Sequence, residues 1–501
     1  MIAPTISLPP VSPAHQKAAL GAIGLATAAL LLGAWKGLLV AALALAICGV
    51  AAYVAYSVAT GACDGILLAW ALLFPLGYYF LSYPRDRPVL QFDRTMVMLL
   101  LGGIVFARGC RTQAIPQEMK RAAIAWAIFL GAAFLGCCRA ANLLTSGRLL
   151  VDSFLCPAIL GWYVLRQFRP ASHAVHLHAV ISIISIYSAG IGVAEVVLQR
   201  DLLAFVASAD YLARDIDDPT GGILLRPNGP FGTNNSFALV GLISFFLLAF
   251  LWNIMRGEAH AGSLNSRFSP GAIHRLLHVL GISAALLQAL LPLFRSVLLT
   301  LVVVIVLDLF WSRGFGRAWR ALALGGIVLT ATGLATLAPG VFRERSGAEN
   351  LYGRIAQHRQ TLRMVADHPL LGIGITNFAA VVSRDARYRA VSYEGLEAET
   401  TPHNNVAFVA VETGLAGVLP YIASQLLLWT AFRRLRGRGE RGRLAWRYFI
   451  FIFLGYWISG MTLSSGYFGD LNHWFVFALT LLYSFGAGTA RSGPARLAAA
   501  A

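Results

Sequence analysis

Apolar runs long enough to cross a bilayer recur along almost the whole chain, and they decide what it can fold into. A hydrocarbon core about 30 Å thick takes about 20 helical residues to span. Spans are expected near 18–34, 38–58, 65–83, 92–107, 122–138, 149–166, 174–198, 236–254, 276–294, 296–312, 319–337, 405–431, 446–463 and 471–487. The count is about 12–14, depending on the short 92–107 run and the closely spaced first pair. With 57% hydrophobic and only 13% charged residues, the chain exceeds the roughly 45–50% apolar content of a soluble domain. The expected fold is therefore an all-α polytopic membrane protein, with residues 1–501 forming one transmembrane domain. No fixed-period repeat is visible.

The formal charge is +17. In a soluble protein that would point to nucleic acid. Here the basic residues sit mostly in short loops, where they set topology and meet anionic membrane lipids, so no nucleic-acid partner is expected. The densest cluster is Arg433, Arg434, Arg436, Arg438, Arg441, Arg443 and Arg447. The short-loop bias places that cluster and both termini in the cytoplasm. Two long loops, 199–235 and 338–404, then lie on the other side, the second carrying short helices. The six cysteines have no CxxC spacing and read as small core residues, not as a disulfide frame or metal site. Four early prolines followed by Lys17 make a poor cleavable signal, so an uncleaved first span is expected.

Residues 276–312 cannot form one helix, which would be about 55 Å long. Pro292, Arg295 and Ser296 mark the break. A guanidinium at the bilayer centre costs at least about 2.5–3.5 kcal/mol, so Arg295 belongs at a hairpin or in a wet cavity. In the second long loop Leu351, Ile355, Leu362 and Val365 share one helical face, with Arg354, Arg359 and Arg363 elsewhere on the wheel. An amphipathic helix lying on the membrane or roofing the bundle is expected, ending before Pro369, Gly372 and Gly374.

Three stretches fall on the side of the long loops: Arg226-Pro-Asn-Gly-Pro-Phe-Gly-Thr-Asn-Asn235, Phe294-Arg295-Ser296, and Asp367-His-Pro-Leu-Leu-Gly-Ile-Gly-Ile-Thr-Asn-Phe378 running on to His403-Asn-Asn405 and Val411-Glu-Thr-Gly-Leu-Ala-Gly417. Their order over residues 180–430 resembles the O-antigen ligase and O-antigen polymerase family. The resemblance implies a metal-independent, inverting glycosyltransferase of the bacterial inner membrane, without cofactor, whose active site faces the periplasm. Its donor would be a glycan on undecaprenyl diphosphate. The acceptor would be lipid A-core for a ligase, or a second lipid-linked repeat unit for a polymerase of O-antigen or exopolysaccharide. Some relatives pair two histidines at the last motif, whereas Pro402 precedes a single His403 here.

Such a reaction needs charge stabilisation on the departing diphosphate and removal of a proton from the acceptor hydroxyl. Arginine pairs two phosphate oxygens at once, which assigns Arg226 and Arg295 to the first task. Imidazole is largely neutral at about pH 7 and accepts a proton, which assigns His403 to the second. Arg354, Arg359, Asn234 and Asn404 are candidate substrate-binding residues. Each has a blander rival: Arg226 pairing with Asp215, Asp217 or Asp218, Arg295 reaching headgroups, His403 capping the helix that follows. That acidic run is a candidate Mg²⁺ holder. Glu394, Glu397 and Glu399 are alternative bases, and His173, His176 and His178 form a cluster near a span end. A transporter or flippase of lipid-linked glycan is the rival of another class, disfavoured by the lack of an internal repeat.

Overall fold

A computed structural model describes residues 64–77, 82–83, 90–106, 114–203, 227–260, 271–310, 324–326, 328, 348–389, 402–462 and 469–488. The chain is an all-α polytopic membrane protein. Its helices are α1 (Asp64–Gly77), α2 (Phe92–Phe106), α3 (Gln117–Cys138), α4 (Leu143–Leu150), α5 (Cys156–Arg166), α6 (Pro170–Leu198) and α7 (Asn234–His260). They continue with α8 (Ala272–Leu290), α9 (Arg295–Phe310), α10 (Ala348–Asp367), α11 (Phe378–Arg384), α12 (Asn405–Leu435), α13 (Glu440–Thr462) and α14 (Gly469–Ala487). A π turn at Val151–Leu155 joins α4 to α5, and Ser82–Tyr83 pairs antiparallel with Leu90–Gln91.

Among the described residues, seven helices are long and apolar enough to cross a membrane. The expected runs at 65–83, 92–107, 296–312 and 471–487 also form helices, shorter or more polar than that standard. The runs at 18–34 and 38–58, and nearly all of 319–337, lie outside the described residues. Helices are the spans because they satisfy every backbone N–H and C=O within themselves, as hydrocarbon requires.

Side-chain bonds fix the directions of the helices. Helix α7 is the central one: its span Asn234–Gly257 is 89% buried. Gln288 Nε2 donates to Phe237 O at 2.9 Å, so the end of α8 meets the start of α7. Trp474 Nε1 donates to Ser244 Oγ at 3.0 Å, and Asn253 Nδ2 to Tyr448 Oη at 3.1 Å, so α14 runs with α7 and α13 against it. Arg447 pairs with buried Asp308 at 3.1 Å, so α9 also runs against α13. Arg434 reaches Glu118 at 3.0 Å, bringing the end of α12 to the start of α3. One end of the bundle, the basic end, therefore holds the arginine-rich α12–α13 turn. The other, the loop end, holds the starts of α7, α9, α12 and α14. Lipid replaces water outside, and large apolar side chains such as Ile124, Leu144, Ile273 and Leu419 lie exposed there. The free thiols Cys137 and Cys156 are buried within this bundle, while Cys138 is exposed.

Candidate functional site

The segment 368–378 is part of the wall of a broken helix. Within α12, Gly414 adopts φ 62° and ψ −163°, which costs the helix its bonds from Leu415 N to Val411 O and from Ala416 N to Glu412 O. The segment takes up all four groups. Ile373 N donates to Val411 O at 2.8 Å and Gly374 N to Glu412 O at 3.0 Å, while Leu415 N donates to Pro369 O at 2.8 Å and Ala416 N to Leu370 O at 3.0 Å. All four of these backbone groups are met, as irregular chain at membrane depth requires. The approach demands glycine: a Cβ at Gly414 would lie 2.4 Å from Leu370 C and O, and one at Gly372, φ +63°, 2.4 Å from Val411 O.

Side chains lock the same segment. Glu412, fully buried, accepts a 2.8 Å bond from Thr376 N, which holds Thr376 at a left-handed φ of 64°. Asn377 accepts from Ala141 N at 2.8 Å and donates to Arg139 O at 3.0 Å and Ile373 O at 2.8 Å. Arg139 donates to Gly372 O at 3.0 Å, and Ser146 Oγ to Ile375 O at 3.1 Å. The α3–α4 corner, the 368–378 segment and the α12 break are thus one hydrogen-bonded unit.

That unit leads directly to the start of α12. His403 is half-buried beside buried Pro402. The helix cap is Asn404, whose side chain accepts from Ala407 N at 3.0 Å, so His403 is not the capping residue. Asn404 Nδ2 also reaches Met461 Sδ at 3.3 Å, tying this start to the end of α13. Arg295 is the exposed first residue of α9, on the turn that breaks 276–312 as expected, with Leu293 at φ 60°. Its guanidinium shares that end with the positive pole of the α9 dipole, which favours anions. Half-buried Asn234 opens α7 at the same end.

Residues 227–231, which follow Arg226 in the sequence, are tied to α6. Arg226 itself lies outside the described residues, as do Asp215, Asp217, Asp218, Glu394, Glu397 and Glu399. Three residues after it, Gly229 N donates to buried Glu195 Oε2 at 2.7 Å, and Phe231 is buried 6.0 Å from Phe74 and 6.1 Å from Phe237 between ring centroids.

Helix α10 turns opposite ways from the expected apolar roof. Leu362 and Ile355 are 68% and 39% exposed, while Gln357, Gln360, Thr361 and Met364 are buried. Of the two placements expected, this orientation fits a helix lying against the membrane with its apolar residues turned to lipid, and not an apolar face seated on the bundle. Gln360 Nε2 donates to Tyr388 O, and the Tyr388 hydroxyl donates to Asp367 Oδ2 at 2.6 Å; that bond is the main reason the phenol titrates above its ordinary range. Arg354 is half-buried and Arg359 exposed, so the two arginines do not face the same way. The histidine cluster is split: His173 pairs with Asp64 at 3.1 Å, while His178 meets His278 at 3.1 Å.

The sequence reading missed Glu195, Glu412, Arg139 and Ser146. The signal for the glutamates was there, since each is a lone carboxylate within an apolar run.

Residues 231–422 match the family model described as O-antigen ligase. This stretch belongs to the O-antigen ligase family. The match begins at Phe231 and takes in the α9 hairpin, the 368–378 segment, His403 and the α12 break. The match supports a glycan-processing function of ligase or polymerase type for this multi-pass membrane protein. No curated protein matches the chain.

Proposed function

We propose that the chain transfers a glycan from undecaprenyl diphosphate to lipid A-core at the periplasmic face of the bacterial inner membrane. One observation carries the reading: Asn234, Arg295 and His403 stand at the loop end, opposite the arginine-rich turn, within the ligase-family stretch. The positive-inside rule assigns that turn to the cytoplasm, which turns the loop end outward.

In the proposed reaction an acceptor oxygen attacks the anomeric carbon as the bond to the diphosphate oxygen breaks, with inversion at that carbon. His403 takes the acceptor proton. Arg226 and Arg295 hold the departing diphosphate, and preorganised donors of this kind contribute about 3–4 kcal/mol each to the transition state. Arg354, Arg359, Asn234 and Asn404 are proposed to line the substrates, Asn404 through whatever bonding its capping role leaves. No metal takes part, so a chelator is expected to leave activity unchanged. The loops 199–235 and 338–404, within the 180–430 region, are proposed to form the periplasmic working surface.

The test is deletion followed by gel and lipid analysis. Loss of capped lipopolysaccharide with intact lipid-linked polymer is the expected result. Accumulation of single repeat units identifies a polymerase instead, and retention of all glycan on the cytoplasmic side identifies a flippase. His403→Ala and Arg295→Ala are expected to abolish transfer in protein that still inserts; normal glycan in either strain refutes the site.

A further inference from the structure

The bundle holds a second feature, whose charged lining residue, Lys120, stands toward the basic end. A cavity of about 590 Å³ runs between α3 and α5 and is backed by α12 and α14. Its walls are apolar, with Ile124, Ala127, Pro157 and Trp162 among them. Ile124, Ala127 and Trp162 are exposed on the outer surface of the bundle, so the groove opens sideways to lipid. Its inner limit is a closed polar set: Tyr456 Oη donates to Asn472 Oδ1 at 2.8 Å, and Asn472 Nδ2 donates to Ser153 O at 2.9 Å.

Two measures decide what fits. Along α3 the lining runs from Met119 to Leu130, a rise of about 16 Å, close to one leaflet of a core about 30 Å thick. The cations stand at the basic end: exposed Lys120 lines the mouth from α3, and Arg166, on the last turn of α5, lies over the Trp162 ring at 6.0 Å. Trp beside basic residues is the pattern of a headgroup level. A polyprenyl diphosphate bound at the loop end has its charged group at the wrong end for this groove.

We infer that the α3–α5 groove is a binding site for an anionic phospholipid of the leaflet at the basic end, with one acyl chain between the helices and its phosphate at Lys120 and Arg166. The inference stands apart from the proposed reaction. Length selects a single-leaflet chain, and Lys120 on the lining with Arg166 beside the lining Trp162 select an anionic head, each cation contributing about fivefold.

The full-length protein is purified in detergent containing equal amounts of phosphatidylglycerol and phosphatidylcholine, and retained lipid is read by native mass spectrometry. The wild type is expected to keep one phosphatidylglycerol in clear preference. Lys120→Gln with Arg166→Gln is expected to remove the preference while lipid is still retained. Ala127→Trp, which fills the lipid-facing groove, is expected to remove retention of both lipids; an unchanged melting temperature shows that it folds. If that variant does not fold, the charge variant decides alone. Equal retention of both lipids by the wild type overturns the inference. So does a retained polyprenyl diphosphate that Ala127→Trp removes, or retention of no phospholipid, the outcome if a segment of this chain fills the groove.

Discussion

Two segments reach the loop end, and they are held in opposite ways. Residues 368–378 are held first by main chain, four backbone bonds across the α12 break made possible by glycines that admit no side chain, with side-chain bonds from Glu412, Asn377, Arg139 and Ser146 added. Residues 227–231 are held by side chains: one carboxylate, Glu195, on Gly229 N, and one ring, Phe231, in the aromatic core. The first arrangement is all or nothing, because a displaced backbone leaves several polar groups unmet at membrane depth. The second, with one carboxylate and one ring, can be loosened in steps.

The largest effect is expected at the break. Gly414→Ala combines a disfavoured φ with a collision against backbone, at a cost of about 3 kcal/mol or more. Expression and melting temperature should both fall, and normal values would show that the break tolerates a side chain. Next comes Glu195→Ala, which leaves a buried N–H unmet at about 1–3 kcal/mol. Hydrogen exchange should quicken at Gly229 without change at Ile373 and Gly374; parallel loss at both would merge the two segments into one unit. Glu195→Gln keeps an acceptor and should restore most protection. Asn404→Ala removes a helix cap worth about 1 kcal/mol, read as a small drop in melting temperature that Asn404→Asp reverses.

The smallest effect is one of pH, at the margin of the first segment. The Arg387 side chain bonded to Asp385 holds that carboxyl below the ordinary range. A lowered carboxylate stabilises the fold above its unfolded value, about 3.9, and that contribution is lost as pH falls through the lower folded value. The 385–388 turn should loosen only below about pH 4, as read from Arg387 amide exchange. Loosening near neutrality would contradict the pairing.

Hydropathy made the spans legible, because the bilayer imposes length and apolarity on each. It also located the α9 hairpin, since a run as long as 276–312 with Pro292 and Arg295 inside it had to turn. The same measure hid the break at Gly414: residues 405–431 read as one continuous apolar run, and nothing local shows that a segment some forty residues earlier supplies the missing bonds. The wheel of α10 grouped its apolar residues but left open whether they face membrane or bundle, because it carries no information about what lies outside. Asn377 stood within a quoted motif, but its partners Arg139 and Ala141 are more than 230 positions away, a pairing no spacing rule reaches.

The central claim is that Arg226, Arg295 and His403 meet one solvent on one side of the membrane. In a cysteine-free background, single cysteines at these positions and at Arg441 are treated with a membrane-impermeant maleimide in cells whose outer membrane alone is permeable. The account predicts labelling of the first three and protection of the fourth until the inner membrane is opened. Labelling of any two of the three from opposite sides would contradict it.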